Sequence, residues 1–298
     1  MKRIIIINNN DRAITYGIGT YTISLIECLK KTNFAFDIVY LNANEYELKI
    51  VEKLGYREFF VPAFSESTNK KLDKYCQMLP FLFKELFNEG DDLIFHFNYF
   101  ITDTLIAQLK AAFVCKVLLT VHYTDWSLML NGDIRRLKSL LDKEKNEQNE
   151  KTNSPNEKRL IDSIQSNKAV FRQADFILFV SHHTVMTYSA LSIFQDTKYK
   201  IVHNGLKDSY KKLSKAQKSS IRKRYHIKDH ETILFFVGRL DEIKGIYCLI
   251  EAFQKVLKVK QKLKNPMQFI IFLERGILKP NDTLFLIPTC RIYSVKPP

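Results

Sequence analysis

The stretch ILFFVGRLDEIKGIYCLIEAF, residues 233–253, decides how the rest of the chain reads. An apolar run stops at Gly238, Arg239 and Lys244 stand in the turn that follows, and Gly245 opens an amphipathic helix. Strand, turn and helix in that order form half of a parallel βαβ unit. In such sheets the turns present backbone N–H groups and helix N-termini to a ligand, which favours anions. Arg239 can give forked hydrogen bonds to phosphate oxygens, and Lys244 adds a point charge. Two fixed cations can neutralise the charge that develops on a leaving diphosphate, a task often given to a metal. The pattern is not a Walker loop, because Gly245 is followed by Ile246 rather than by Lys and Ser or Thr. Taken alone, the same letters fit an ordinary surface Arg and Lys in a turn.

Working outward, the same alternation fills the chain. Short β-rich apolar runs lie at 3–8, 36–41, 57–62, 92–97, 116–121, 175–180, 199–203, 232–237 and 267–273. Helical patterns lie at 19–32, 67–89, 101–113, 131–144, 157–172, 183–193, 216–226 and 245–264. Continuous apolar strands between helices predict a doubly wound α/β fold of two Rossmann-like domains, with ligands at the carboxyl ends of the strands. We expect a first domain over 1–205, a basic linker over 206–230 and a partial second domain over 231–298. Residues 142–159, almost free of apolar side chains, read as an exposed loop between two helices. The tail after 273 has four prolines and no helical periodicity.

Composition narrows the function classes. At 298 residues, 46% hydrophobic and 12% aromatic, the chain has material for real cores. Its apolar runs are far shorter than the roughly 18 residues a membrane span needs. The start, MKRIIIINNN, fits a first strand better than a signal peptide, so a cytoplasmic location is expected. Five dispersed cysteines without a CxxC read as reduced thiols, and the adjacent His182 and His183 do not make a metal pair. The net charge of +14 is uneven. Residues 1–150 hold 19 Lys and Arg against 20 Asp and Glu, whereas residues 151–298 hold 27 against 12. Residues 198–228 carry eleven cations against Asp208 alone. Such a surface attracts phosphorylated substrates, anionic lipid or nucleic acid. With only Tyr199, Tyr210 and Tyr225 as aromatics and no recognisable module there, nucleic acid is not expected.

Other polar groups fall at strand ends. Gly17 and Gly19 follow the first strand and open a helix, allowing close backbone approach. They do not complete a GxGxxG fingerprint, and Asp37 opens its strand instead of closing it, so a dehydrogenase fits poorly. His122 ends the strand LLTV and can hydrogen-bond a substrate or act as a base. It can equally be a structural strand cap. Ser181, with His182 and Thr184, ends FILFV; Asn204 lies in VHNG at another strand end.

This order of motifs resembles the GT-B-fold retaining glycosyltransferases of family 4 over about residues 1–273. GRLDEIKG with LIEAF is its specific part. The resemblance implies a hexosyltransferase that moves a sugar from a nucleotide sugar, such as a UDP- or GDP-sugar, with retained anomeric configuration and without a metal. It implies that Arg239 and Lys244 bind the donor diphosphate and that His122 contacts the donor sugar. Gly17 and Gly19 would lie against the donor phosphates, with Asn204 and Ser181 also on the donor side. A glycan or lipid-linked acceptor in cell-surface polysaccharide synthesis is the expected partner, with peripheral contact to anionic membrane. Two departures, Tyr123 where the family often has Asp and Tyr16 where it often has Gly, bear on the choice of sugar and acceptor. A Glu-x7-Glu motif is expected late in the second domain; Glu274 and Asp282 have that spacing, but Pro280 would disturb a helix across it. The second domain therefore reads as truncated, and the alternative function is an inactive remnant with weak or no nucleotide binding.

Overall fold

The computed structural model describes residues 2–9, 17–63, 69–87, 90–98, 103–123, 126, 129–130, 132–146, 154–190, 198–205, 211–229, 232–238, 244–260, 267–273 and 290–294. The chain divides into two compact units, Met1–Lys207 and Asp208–Pro298. The stretch read as a linker thus falls mostly in the second unit.

The first unit is built on β1 (Lys2–Asn9), α1 (Gly17–Leu29), β2 (Ala35–Ala43), β3 (Lys49–Lys53), β4 (Tyr56–Pro62), α2 (Asn69–Leu86), β5 (Asp92–Phe97), α3 (Asp103–Ala112), β6 (Cys115–Val121), α4 (Ile134–Asn146), α5 (Pro155–Gln173), β7 (Phe176–Phe179), α6 (His182–Ala190) and β8 (Tyr199–Ile201). Its sheet has the order β3-β4-β2-β1-β5-β6-β7-β8. Every pairing is parallel except β3 with β4. The strand order reverses between β1 and β5, the topological switch point where doubly wound sheets bind ligands.

Alternation along β1 covers both faces. Ile5 and Ile7 enter the large core with Val39, Phe59 and Phe95, while Ile6 packs with Ile38 and Tyr40 under Leu25, Ile26 and Leu29 of α1. This two-sided burial is why the strands read as continuous apolar runs.

The second unit contains α7 (Lys215–Arg224), β9 (Thr232–Gly238), α8 (Ile246–Lys260), β10 (Met267–Leu273) and β11 (Cys290–Ser294), with the parallel order β11-β10-β9. The opening stretch contains the expected strand and helix, and residues 239–243 between them lie outside the described residues. Ile246, Ile250 and Phe253 of α8 are buried at helical spacing.

Three readings are corrected. The strand β3 was not expected: its KIVEK is mostly polar because β3 is an exposed edge, joined to β4 across Leu54 and Gly55 (φ +88°). The tail after 273, read as lacking helical periodicity and given no strand, supplies β11, which pairs Phe269 with Cys290 through Leu273 with Ser294. The loop read over 142–159 is shortened from both sides. Polar residues 142–146 continue α4, and α5 starts at a capping box in which Ser154 Oγ accepts from the Glu157 N–H and Glu157 Oε2 accepts from the Ser154 N–H. A polar composition does not prevent a helix that is capped by its own side chains.

Candidate functional site

The carboxyl edge of the eight-stranded sheet gathers the first unit's expected site residues. Gly17 and Gly19 lie in the first turn of α1, the helix that follows β1 in the chain. Gly19 is buried and Gly17 is exposed. A Cβ placed on Gly17 would meet no described atom within 4 Å. One turn on, the Tyr21 ring meets His122 edge to face, 4.6 Å between centroids. Helix α1 thus carries the glycine turn and also holds the histidine at the end of β6.

Beneath this contact lies a buried polar layer that the sequence reading missed. His96 of β5 lies beside Ile6 of β1 and so faces α1. Its Nε2 is 2.8 Å from Thr120 Oγ1 of β6. Thr120 also hydrogen-bonds the Tyr21 side chain; this partly offsets the burial that raises the Tyr21 phenol above its ordinary pKa. Beside it, Asn98 Nδ2 donates to Asn8 Oδ1 at 3.1 Å, and Asn8 Nδ2 donates to Thr22 Oγ1 at 3.4 Å. These bonds tie α1 to the switch-point strands β1 and β5. A signal existed: His96 and Thr120 interrupt the apolar runs LIFHF and VLLTV. Their partners depend on cross-strand register, which the runs do not contain.

Burial sets the charge state. It lowers the pKa of His122 to about 4, and that of His96 to about 3 with the nearby His122 as a second cause. Both imidazoles are neutral near pH 7. His122 Nε2, Asn9 Oδ1 and Asn98 Oδ1 are buried with no hydrogen-bond partner among the described residues. A neutral imidazole with an unmatched ring nitrogen suits a hydrogen bond to a hydroxyl better than proton abstraction at neutral pH.

Further along the edge, Ser181 caps α6: its Oγ accepts from the Thr184 N–H at 3.2 Å and lies 2.8 Å from Thr184 Oγ1. Asn204 is exposed beyond β8. The exposed His182 and His203 rings stand 5.4 Å apart, with His203 Nδ1 3.0 Å from the Val180 carbonyl. In the second unit Lys244 is exposed in a short turn before Gly245, whose φ of +67° is left-handed. The Gly245 carbonyl accepts from the Leu249 N–H, so this turn leads straight into α8. Arg239 lies outside the described residues, as do Tyr16, Glu274 and Asp282. No group of three or more His, Cys, Asp or Glu suited to a metal occurs among the described residues, and none of their helices is long and apolar enough to cross a membrane.

No family model matches the chain, and no curated protein matches its sequence. Solved structures do match its fold. Sucrose-phosphate synthase from Thermosynechococcus elongatus is 16% identical, with a TM-score of 0.66 over 99% of this chain and 70% of that one. The UDP-forming α,α-trehalose-phosphate synthase of Burkholderia xenovorans, in complex with glucose-6-phosphate, is 14% identical, with a TM-score of 0.59 over 92% and 66%. The E. coli trehalose-6-phosphate structure bound with UDP-2-fluoro glucose is 12% identical, with a TM-score of 0.54 over 91% and 64%. This chain therefore spans about two thirds of their length. These are GT-B structures, and the chain has a GT-B-like α/β fold with Rossmann-like topology.

Proposed function

We propose that the chain is a glycosyltransferase of the retaining, metal-independent kind, moving a sugar from a nucleoside-diphosphate sugar to a glycan or lipid-linked acceptor. The observation that carries the reading is the neutral His122, held by Tyr21 of the glycine-initiated helix at the carboxyl edge of a GT-B-like sheet. Its Nε2 would take a hydroxyl of the donor sugar. In the second unit, Arg239 and Lys244 would stabilise the departing nucleoside diphosphate, and the acceptor hydroxyl would attack from the same face. The exposed Gly17 would leave room for the donor beside the α1 N-terminus, with the buried Gly19 behind it. Nucleotide-sugar and sugar-phosphate ligands in the matched structures support this substrate class, and a role in cell-surface polysaccharide synthesis fits it.

The test is thermal unfolding of the chain with UDP, GDP or ADP, beside the Arg239→Ala, Lys244→Ala double variant. A ligand at ~100 times its Kd adds about 2.7 kcal/mol to stability, a shift of several degrees. We expect one nucleotide to give that shift and the double variant to lose it while the first unit stays folded. No shift with any nucleotide, or an equal shift in the variant, overturns the reading.

A further inference from the structure

We infer that His182 and His203 form a binding site for one divalent transition-metal ion of the zinc and copper class. The inference does not rest on glycosyl transfer. His182 and His183 are adjacent in the chain, and such side chains diverge, but the fold brings a different histidine to His182. His182 is the first residue of α6 and His203 follows β8. The parallel pairing of β7 with β8 sets these two points side by side, and the Val202 N–H donates to the Phe179 carbonyl at 2.8 Å just before His203. The Ser181 cap fixes the start of α6. Both histidines are thus carried by backbone that the sheet and the cap already hold. Their ring centroids stand 5.4 Å apart, with the planes inclined by 45°. Two imidazoles on one metal, with nitrogens at ~2.0–2.1 Å from it, have centroids about 5 Å apart. The pair needs little movement to close on an ion.

The ring nitrogens are also arranged for this. His203 Nδ1 lies 3.0 Å from the Val180 carbonyl. A carbonyl only accepts, so Nδ1 carries the hydrogen, and in the neutral ring Nε2 keeps its lone pair. A backbone bond to the remote nitrogen is how metal-binding histidines are oriented and held in one tautomer. The His182 ring makes no hydrogen bond or ion pair among the described residues. Both rings are exposed, so an ion reaches them from solvent. The donor set selects the ion. No carboxylate or thiol joins the pair in a group of three among the described residues, and residues 198–228 hold eleven Lys and Arg against Asp208 alone. Magnesium and calcium need several oxygen ligands and suit such surroundings poorly. Zinc, nickel and copper take imidazole through its lone pair. The remaining coordination positions go to water or to an oxygen of a ligand. An ion held here ties the start of α6 to the end of β8, beside the exposed Asn204.

Calorimetric titration of the full chain with zinc chloride tests this, with magnesium chloride beside it. We expect one saturable zinc site and no magnesium binding. His182→Gln and His203→Gln should each weaken zinc binding at least tenfold, whereas His183→Gln should bind about as tightly as the parent. All three side chains are exposed, and melting curves without metal check that the variants fold. The parent alone gives a second readout. Zinc X-ray absorption at one equivalent should show nitrogen and oxygen neighbours at ~2.0–2.1 Å, outer scattering from imidazole, and no sulfur near ~2.3 Å. Absence of saturable zinc binding, unchanged affinity in either folded pair variant, or sulfur in the zinc shell overturns the proposal. So does magnesium binding equal to that of zinc, or a loss in His183→Gln as large as in His182→Gln.

Discussion

At the amino edge of the eight-stranded sheet, Asp37 is 1% exposed and accepts from four donors: Arg3 Nη1 at 2.7 Å, and the Arg57 backbone N–H, Nε and Nη2 at 3.0, 3.1 and 2.9 Å. At the carboxyl edge Asn98 is 0% exposed, bonded to another neutral side chain, with one amide oxygen unmatched among the described residues. The contrast extends along both edges. Asp91 is paired with Arg3, which holds its carboxyl below the usual range; burial works to raise the Asp175 carboxyl, but the Val117 N–H and Lys110 together outweigh it and hold it below that range as well. The carboxyl edge uses Asn8, Thr22, His96, Thr120 and Tyr21, all uncharged near pH 7. An edge whose polar atoms are all matched holds strands in place; an edge of neutral groups with unmatched atoms has capacity left for a ligand.

Acid breaks the comparison most strongly. The pKa of His122 is lowered to about 4 and that of His96 to about 3, whereas an unfolded histidine titrates near 6.5. Between those values the unfolded chain binds more protons than the folded one, so stability rises with pH there and falls on acidification. Above pH 6.5 the two groups contribute no slope. Urea unfolding at pH 7.5 and at pH 4.5 should differ by a few kcal/mol, all lost on the acid side. His122→Leu should flatten part of that slope and change stability at pH 7.5 by less than about 1 kcal/mol, since it removes a buried nitrogen that has no described partner. The same variant should lower any sugar transfer. A steep, unchanged acid limb in His122→Leu would contradict the burial of this imidazole.

Asp37→Asn sharpens the contrast from the other edge. It keeps the shape and leaves two guanidiniums facing a neutral amide. Removing one partner of a buried pair costs more than the pair contributes, but the arginine side chains here are 22% and 33% exposed, so we expect about 2–3 kcal/mol. Chemical denaturation should show that loss, and any nucleotide-induced shift in melting temperature should persist. Loss of the nucleotide response with stability unchanged would show that the amino edge is not purely structural.

The sequence exposed the two edges unequally. Strand ends at Val121, Phe179 and Ile201 lie within two residues of where the apolar runs stop, so His122, Ser181 and Asn204 could be placed at the carboxyl edge from spacing alone. Asp37 was legible as a residue that opens its strand, but its arginines were not: Arg3 and Arg57 are 34 and 20 residues away and meet it only through the β1-β2-β4 order. The Tyr21–His122 contact is hidden for the same reason, as it needs α1 laid over β6. The edge strand β3 was missed because solvent on its face removes the apolar signal that marks the interior strands.

Ser181→Ala carries the smallest effect and separates two roles for one hydroxyl. Its Oγ already accepts from the Thr184 N–H and so caps α6. Losing an N-cap costs about 1 kcal/mol, and Asp or Asn at that position caps as well as Ser. Ser181→Ala should therefore lower stability by about 1 kcal/mol in chemical denaturation, and Ser181→Asn should restore it. Nucleotide-induced stabilisation decides the second role. If Ser181→Asn regains stability and keeps the full nucleotide shift, the hydroxyl serves the helix alone and Ser181 leaves the donor site. If stability returns but the shift stays small, the hydroxyl also meets the ligand, because an amide can replace a cap acceptor but not the size and direction of an O–H.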